Sequence, residues 1–336
     1  MKIVARFPGL RYLEISNAWD GPMNNFALSN PNNIKLPYLE DLVLLDNNHG
    51  NCEWDCLLDR LELPETTRIL FSGNAEFADI DDVVLAFGSK MDEIGAPRKQ
   101  GSLAGPFSAL WSYTSTESTS HKLWTDQALR DRETSIPPLL TFHAKPGKDS
   151  MVSSIEDIFY PRATDVEVFL YSRTDGTEHE FWEAVDVFHH VETACIRTAD
   201  YLPGWLEALD EDDDVVEDNF FRIFESLKTL LIFGCGDPFK EPAEYWGDMV
   251  KMIIRRKHYG QPISKLVLVP RAPAVDRSTR NAARRTMFDF RSEVLASLRE
   301  VVDVVVECRD AGSVLATMSQ HCPRTFAEQL AEELWK

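Results

Sequence analysis

The sequence predicts an α/β solenoid: a curved parallel sheet with outer helices and an antiparallel β insertion. Three observations predict it. The stretch Leu36-Pro37-Tyr38-Leu39-Glu40-Asp41-Leu42-Val43-Leu44 recurs as Phe7-Pro8-Gly9-Leu10-Arg11-Tyr12-Leu13-Glu14-Ile15 and as Leu63-Pro64-Glu65-Thr66-Thr67-Arg68-Ile69-Leu70-Phe71. The copies start 29 and 27 residues apart. Looser copies follow, with lead-ins at Tyr160, Phe188, Phe224, Ile263 and Val301, and the strand positions they reach, Ala194, Leu230, Leu266 and Val304, are spaced 36–38 residues apart.

Each copy reads as a lead-in turn and a short strand, and repetition at this period is the leucine-rich-repeat signature. A single unit cannot bury its own apolar face, so the units must stack. The first three strands occupy residues 1–74, and Thr66 stands at an apolar position of the third. Asp79 to Met91 has helical spacing at Ile80, Val83, Val84 and Phe87. The insertion covers about 95–158: strands at Phe107–Tyr113 and His121–Trp124 around a polar turn, then Leu139–His143. Val166 and Val168 are expected in the next strand core, followed by helices at Glu178–Val187, Tyr201–Leu209 and Val215–Phe224. Pro242 to His258 is an amphipathic helix with Met249, Met252, Ile253 and Ile254 inward and Gly260 as its cap. Arg277 to Leu298 is helical by pattern. Residues 325–335 form a terminal helix with Phe326, Leu330 and Leu334 inward, suited to closing the end of one domain spanning 1–336.

Composition narrows the functional classes. Eight Trp and nineteen Phe in a chain that is 44% apolar supply a substantial core. A formal charge of −20 disfavours a nucleic-acid surface over the whole molecule, although residues 251–300 hold twelve Lys or Arg against four Asp or Glu. The acidic run Asp210–Asp214 reads as a solvated loop. No apolar run is long enough to span a bilayer and no secretory leader is evident, so the expectation is no membrane partner and an intracellular location, cytoplasmic or nuclear. The six cysteines suggest no dense disulfide framework, and Cys195 and Cys308 fall on or beside strands as small apolar residues.

Catalytic patterns are weak. His179-Glu180-Phe181-Trp182-Glu183 resembles a zinc-hydrolase helix, but Glu183 replaces the second histidine. His49, Cys52 and Cys56 lack a matching second pair. Phosphate loops, nucleophile elbows and dinucleotide fingerprints are absent. The expectation is therefore no enzyme, no cofactor and no metal, with a hydrolase centred on His179 and Glu180 as the alternative. The remaining candidate is the inner strand face. Alternation places Tyr12, Asp41, Arg68, Asp165, Thr193, Thr229, Lys265 and Asp303 in one column. Glu14, Val43, Leu70, Glu167, Cys195, Leu231, Val267 and Val305 form the next, and a third includes Phe169, Phe233 and Val269. An apolar strip at Leu231, Val267 and Val305 either binds a partner or lies beneath loops.

The Phe/Leu-Pro-x-Leu-x-x-Leu-x-Leu units, with the aromatic stretches Ala109-Leu110-Trp111 and Lys122-Leu123-Trp124, resemble the repeat region of fungal F-box proteins with degenerate leucine-rich repeats. The resemblance implies a non-catalytic scaffold that holds a protein to be ubiquitinated. In that family an F-box helix bundle docks on the adaptor subunit of a cullin-RING ubiquitin ligase. Phe7-Pro8-Gly9-Leu10 opens directly into a repeat strand, so docking on that adaptor is expected only if an F-box lies upstream. A repeat scaffold unrelated to ubiquitin is the other alternative.

Overall fold

The computed structural model describes residues 7–16, 33–46, 57–58, 60–75, 88–90, 107–114, 119–131, 135–146, 160, 166–173, 188–197, 224–235, 243–270, 295–308 and 311–328. They are α/β, with strands that are mostly parallel. The chain divides into two compact units, one of residues 1–126 and 137–164, the other of residues 127–136 and 165–336. Among the described residues no helix is long and apolar enough to cross a membrane.

In the first unit, β1 (Tyr12–Ser16), β3 (Asp41–Asp46) and β5 (Arg68–Ala75) run parallel in that order. β2 (Ile34–Lys35) and β4 (Leu61–Glu62) form a separate parallel pair. Leu42 pairs with Ile69 and Ile34 with Leu61, so both ladders step by the same 27 residues. Alternation then sorts the side chains. Leu42, Leu44, Ile69 and Phe71 are buried, together with the lead-in residues Leu36 and Leu39. Thr66, at the irregular position of the third copy, stays exposed, and Thr67 turns inward instead.

The expected insertion contains one strand that continues the parallel series. β8 (Leu140–Pro146) pairs parallel with β5, Phe142 beside Phe71 with ring centroids 5.2 Å apart. The antiparallel hairpin is β6 (Phe107–Thr114) and β7 (Thr119–Thr125), and β7 lies antiparallel against β8. Inside it, His121 sits between Ser112 and Phe142 and meets Tyr160 edge-on at 6.3 Å. The Ser112 and Tyr160 hydroxyls share a hydrogen bond of 2.9 Å. Burial alone pushes the His121 imidazole down from 6.5 to about 3.

The second unit holds β9 (Val168–Arg173), β10 (Thr193–Arg197), β11 (Thr229–Cys235), β12 (Lys265–Pro270) and β13 (Val304–Glu307), all parallel and in chain order. Thr193, Thr229 and Lys265 align at 36-residue steps. A recurring bond sets the stagger: Glu167 O accepts the N–H groups of Glu192 and Thr193, Glu192 O those of Lys228 and Thr229, and Lys228 O those of Ser264 and Lys265. Arg11 O accepts the N–H groups of Glu40 and Asp41 in the first unit by the same pattern.

Two strands depart from the expected register. Val168, not Asp165, pairs with Thr193, and Phe169 pairs with Ala194. The shift is three residues, and any odd shift reverses the faces. Phe169 therefore lies in the core, 5.0 Å from Phe188 and 5.7 Å from Phe224 between ring centroids. Glu167 is an exposed lead-in residue, not a neighbour of Cys195. At β13, Val304 takes the place expected for Asp303 beside Lys265, and Val306 that of Val305 beside Val267. The step from Lys265 to Val304 is 39 residues, against 36 for Thr193 to Thr229 and Thr229 to Lys265.

The amphipathic helix, with the short α1 (Asp126–Arg130) before it in the chain, is α2 (Ala243–His258), closed by Gly260 at φ 80°. Met249, Met252 and Ile253 are buried, but Ile254 points outward and Arg256 inward. Arg256 lies three residues beyond Ile253 on the packed face, where Nη2 donates to Phe224 O at 2.8 Å. An unexpected helix, α3 (Ala311–Met318), precedes helical residues 324–328. The helices expected at 178–187 and 201–209 lie outside the described residues, as does all but Phe224 of that expected at 215–224 and most of those at 79–91 and 277–298; Phe224 stands in a turn with φ 53°.

Candidate functional site

The strand face opposite the core meets different surroundings in each unit taken by itself. In the first, Tyr12, Asp41 and Arg68 align, and Glu14, Val43 and Leu70 align beside them. Cross-strand neighbours of this kind sit about 5 Å apart and form one continuous surface. Tyr12 is 53% exposed and Leu70 36% exposed. Val43, Leu45 and Ser72 are half-buried on the same face.

The charged groups of this surface are already paired within the chain. Arg68 Nη2 meets Asp41 Oδ2 at 2.5 Å, and Arg11 Nη1 meets Glu40 Oε1 at 3.0 Å along the border. Tyr12 Oη donates to Glu14 Oε2 at 2.6 Å. That bond, more than any burial, raises the phenol pKa, since ionised Tyr12 would face a carboxylate. Solvent-exposed pairs of this kind contribute little stability. They do hold the polar groups in place around Tyr12 and Leu70. Farther along the second column, Leu70 pairs with Thr141, Thr141 with Lys122, and Lys122 Nζ lies 4.4 Å over the Trp111 ring. Such a face can offer a partner apolar contact framed by oriented hydrogen-bonding groups.

In the second unit the corresponding face is covered. Leu231, Phe233, Val267 and Val269 have no exposed surface, and Thr229 is 7% exposed. Leu231 and Val267, which the sequence placed on a strip that either binds a partner or lies beneath loops, are interior. The chain's own C-terminal segment meets this face. His321 Nε2 lies 2.7 Å from Lys265 Nζ, and burial, with a smaller push from Cys322, raises the pKa of the Cys195 thiol beside Leu231. Thr325 Oγ1 donates to Ile136 O at 2.7 Å, and Ser135 Oγ donates to Glu328 at 3.0 Å. Desolvation, the larger influence, lowers the Lys265 pKa, against a smaller opposing pull from Cys308. An apolar strip flanked by Thr and Lys thus became a buried seam.

His321 and Cys322 were not found by sequence reasoning. The signal lay in the i, i+4 pair Val314 and Met318, both fully buried, which marks an inward helical stripe just before them. His179, Glu180, His49, Cys52 and Cys56 lie outside the described residues. Among the described residues, no three His, Cys, Asp or Glu side chains converge as metal ligands would.

No protein-family model, curated protein or solved structure matches the chain.

Proposed function

We propose that this chain is a non-catalytic protein-binding scaffold built on leucine-rich-repeat-like coils, and that it docks its partner on the β1–β3–β5 face. The observation that supports this most is the exposure of Tyr12 and Leu70, at 53% and 36%, on a face whose charged groups are paired within the chain. A tyrosine and a leucine framed by fixed polar groups suit an interface centre with a polar rim. The matching 27-residue step of the two ladders supports the coil reading, because each turn of such a coil returns to both ladders. Substrate recognition for a ubiquitin ligase is the finer form of this proposal and rests on the resemblance of the repeat units.

The test is cross-linking in cells through a photoreactive residue placed at Tyr12 or Leu70, compared with a placement at Glu225 on an exposed turn of the second unit. A discrete partner is expected from the first two placements only, and Leu70→Asp is expected to weaken its capture about tenfold or more with the melting temperature unchanged. Equal cross-linking from all three placements removes the proposal. Loss of ubiquitin from that partner on deletion of the chain supports the ligase role; unchanged ubiquitination rejects that role and leaves the docking face standing.

A further inference from the structure

The contact between the C-terminal segment and β12 joins two titratable nitrogens. Lys265 Nζ lies 2.7 Å from Nε2 of His321, and both residues are half-buried. At that distance one nitrogen donates a hydrogen and the other must offer a lone pair. The donor is either an ammonium facing a neutral imidazole or an imidazolium facing a neutral amine. In both cases the closed pair holds one proton fewer than an ammonium and an imidazolium do together. An imidazole in water takes up its proton near ~6.5, and a lysine keeps its own to about 10.4. Separated in mild acid, the two groups carry both protons, and two cations at the contact distance repel.

We propose that Lys265 and His321 form an acid-sensitive latch, at which uptake of one proton by the pair releases residues 311–322 from the strand face. The neighbours of Lys265 on the flanking strands, Thr229 and Val304, do not titrate. Of the charged side chains described on the flanking elements, Glu192 is paired with Lys228, Glu307 with Arg299 and Glu328 with Arg324, and Asp303 is exposed. The thiols there are Cys195, Cys308 and Cys322, all buried. Desolvation already lowers the Lys265 pKa against the smaller pull of Cys308, so a second positive charge beside it is poorly tolerated. The ties farther along are not acid-sensitive in the same range. Arg324 and Ser135 hold the Glu328 carboxyl below its ordinary value, and the Thr325 hydroxyl does not titrate. The segment therefore stays attached through Thr325 and Glu328 while the part before them lifts. This inference is independent of partner docking on the first unit.

The test is amide hydrogen exchange of the full-length chain at pH 7.5 and pH 5.5, corrected for the intrinsic rate at each pH. It is read at Ser319, His321 and Cys322, whose N–H groups donate to Leu315 O and Met318 O. One proton taken up on opening, by a group that titrates near ~6.5 when released, raises the opening constant about tenfold between those two pH values. His321→Gln keeps an acceptor for Lys265 that does not titrate, and its corrected exchange is expected to be the same at both. That variant retains His121 and every carboxylate, so general loosening in acid appears equally in both chains. Lys265→Met, which removes the ammonium, is expected to abolish the rise as well and serves should His321→Gln not fold. Equal corrected exchange of the unaltered chain at the two pH values overturns the proposal. So does a rise of the same size in His321→Gln or, where that variant does not fold, in Lys265→Met.

Discussion

Thr67 donates its hydroxyl to the carbonyl of Leu39 at 2.8 Å, joining the third repeat unit to the second beneath the sheet. Thr67 is fully buried while Thr66, at the position where the other copies carry leucine, is exposed. The hydrogen bond lets a threonine occupy an apolar interior without an orphaned hydroxyl. Thr67→Val keeps the shape and removes the donor, and should destabilise the first unit by about 1–2 kcal/mol. Thr67→Ser should recover part of the loss. Urea denaturation with an unchanged slope and a lower midpoint is the expected record.

The corrected register of β9 predicts opposite behaviour from two residues that the sequence reading placed together on one face. Phe169 packs between Phe188 and Phe224, so Phe169→Ala should cost about 3–5 kcal/mol. Glu167→Ala removes an exposed side chain and should change stability by no more than about 0.5 kcal/mol, its carbonyl ladder remaining intact. Thermal unfolding of the two variants decides the matter, and the reverse ranking would restore the original register.

His121 gives the first unit a defined acid sensitivity. Its imidazole titrates near 6.5 when unfolded and near 3 when buried, so the folded chain refuses a proton that the unfolded chain accepts. The associated stability is fully present above pH 6.5 and is lost as pH falls toward 3, by about 1.4 kcal/mol per unit. Carboxylates contribute their own acid dependence, so the informative quantity is the difference between the wild type and His121→Phe. Between pH 7 and pH 5 the wild type should lose about 2 kcal/mol more than the variant.

His321→Ala should loosen the covered face without affecting the open one. It removes the 2.7 Å contact with Lys265 while leaving the Thr325 and Glu328 ties in place. Hydrogen exchange is expected to quicken severalfold over residues 311–328 and to stay unchanged over β1, β3 and β5. Unfolding of the whole second unit at ordinary temperature would instead assign His321 a global role.

Much of the first unit was legible because its repeat copies are nearly regular. Leu13, Leu42 and Ile69 align as their spacing requires, and Tyr12, Asp41 and Arg68 follow on the opposite face by alternation. β9 and β13 were not legible to the residue. A valine-rich stretch such as Val301 to Val306 fits two registers equally well by pattern, and the pairing with β12 is what distinguishes them. β8 was recognised as a strand, but its parallel pairing with β5 depends on partners far away in the chain.

Periodic apolar spacing by itself determined the α/β class, the parallel strands and the inward residues of each regular copy, since local alternation leaves a half-buried strand little choice of face. Only the tertiary structure decided which strands keep an open face. Leu70 and Leu231 occupy the same kind of position in the pattern, yet one is exposed and the other sealed. Burial depends on what folds back over the strand, here His321 against Lys265, and strand periodicity carries no record of that contact.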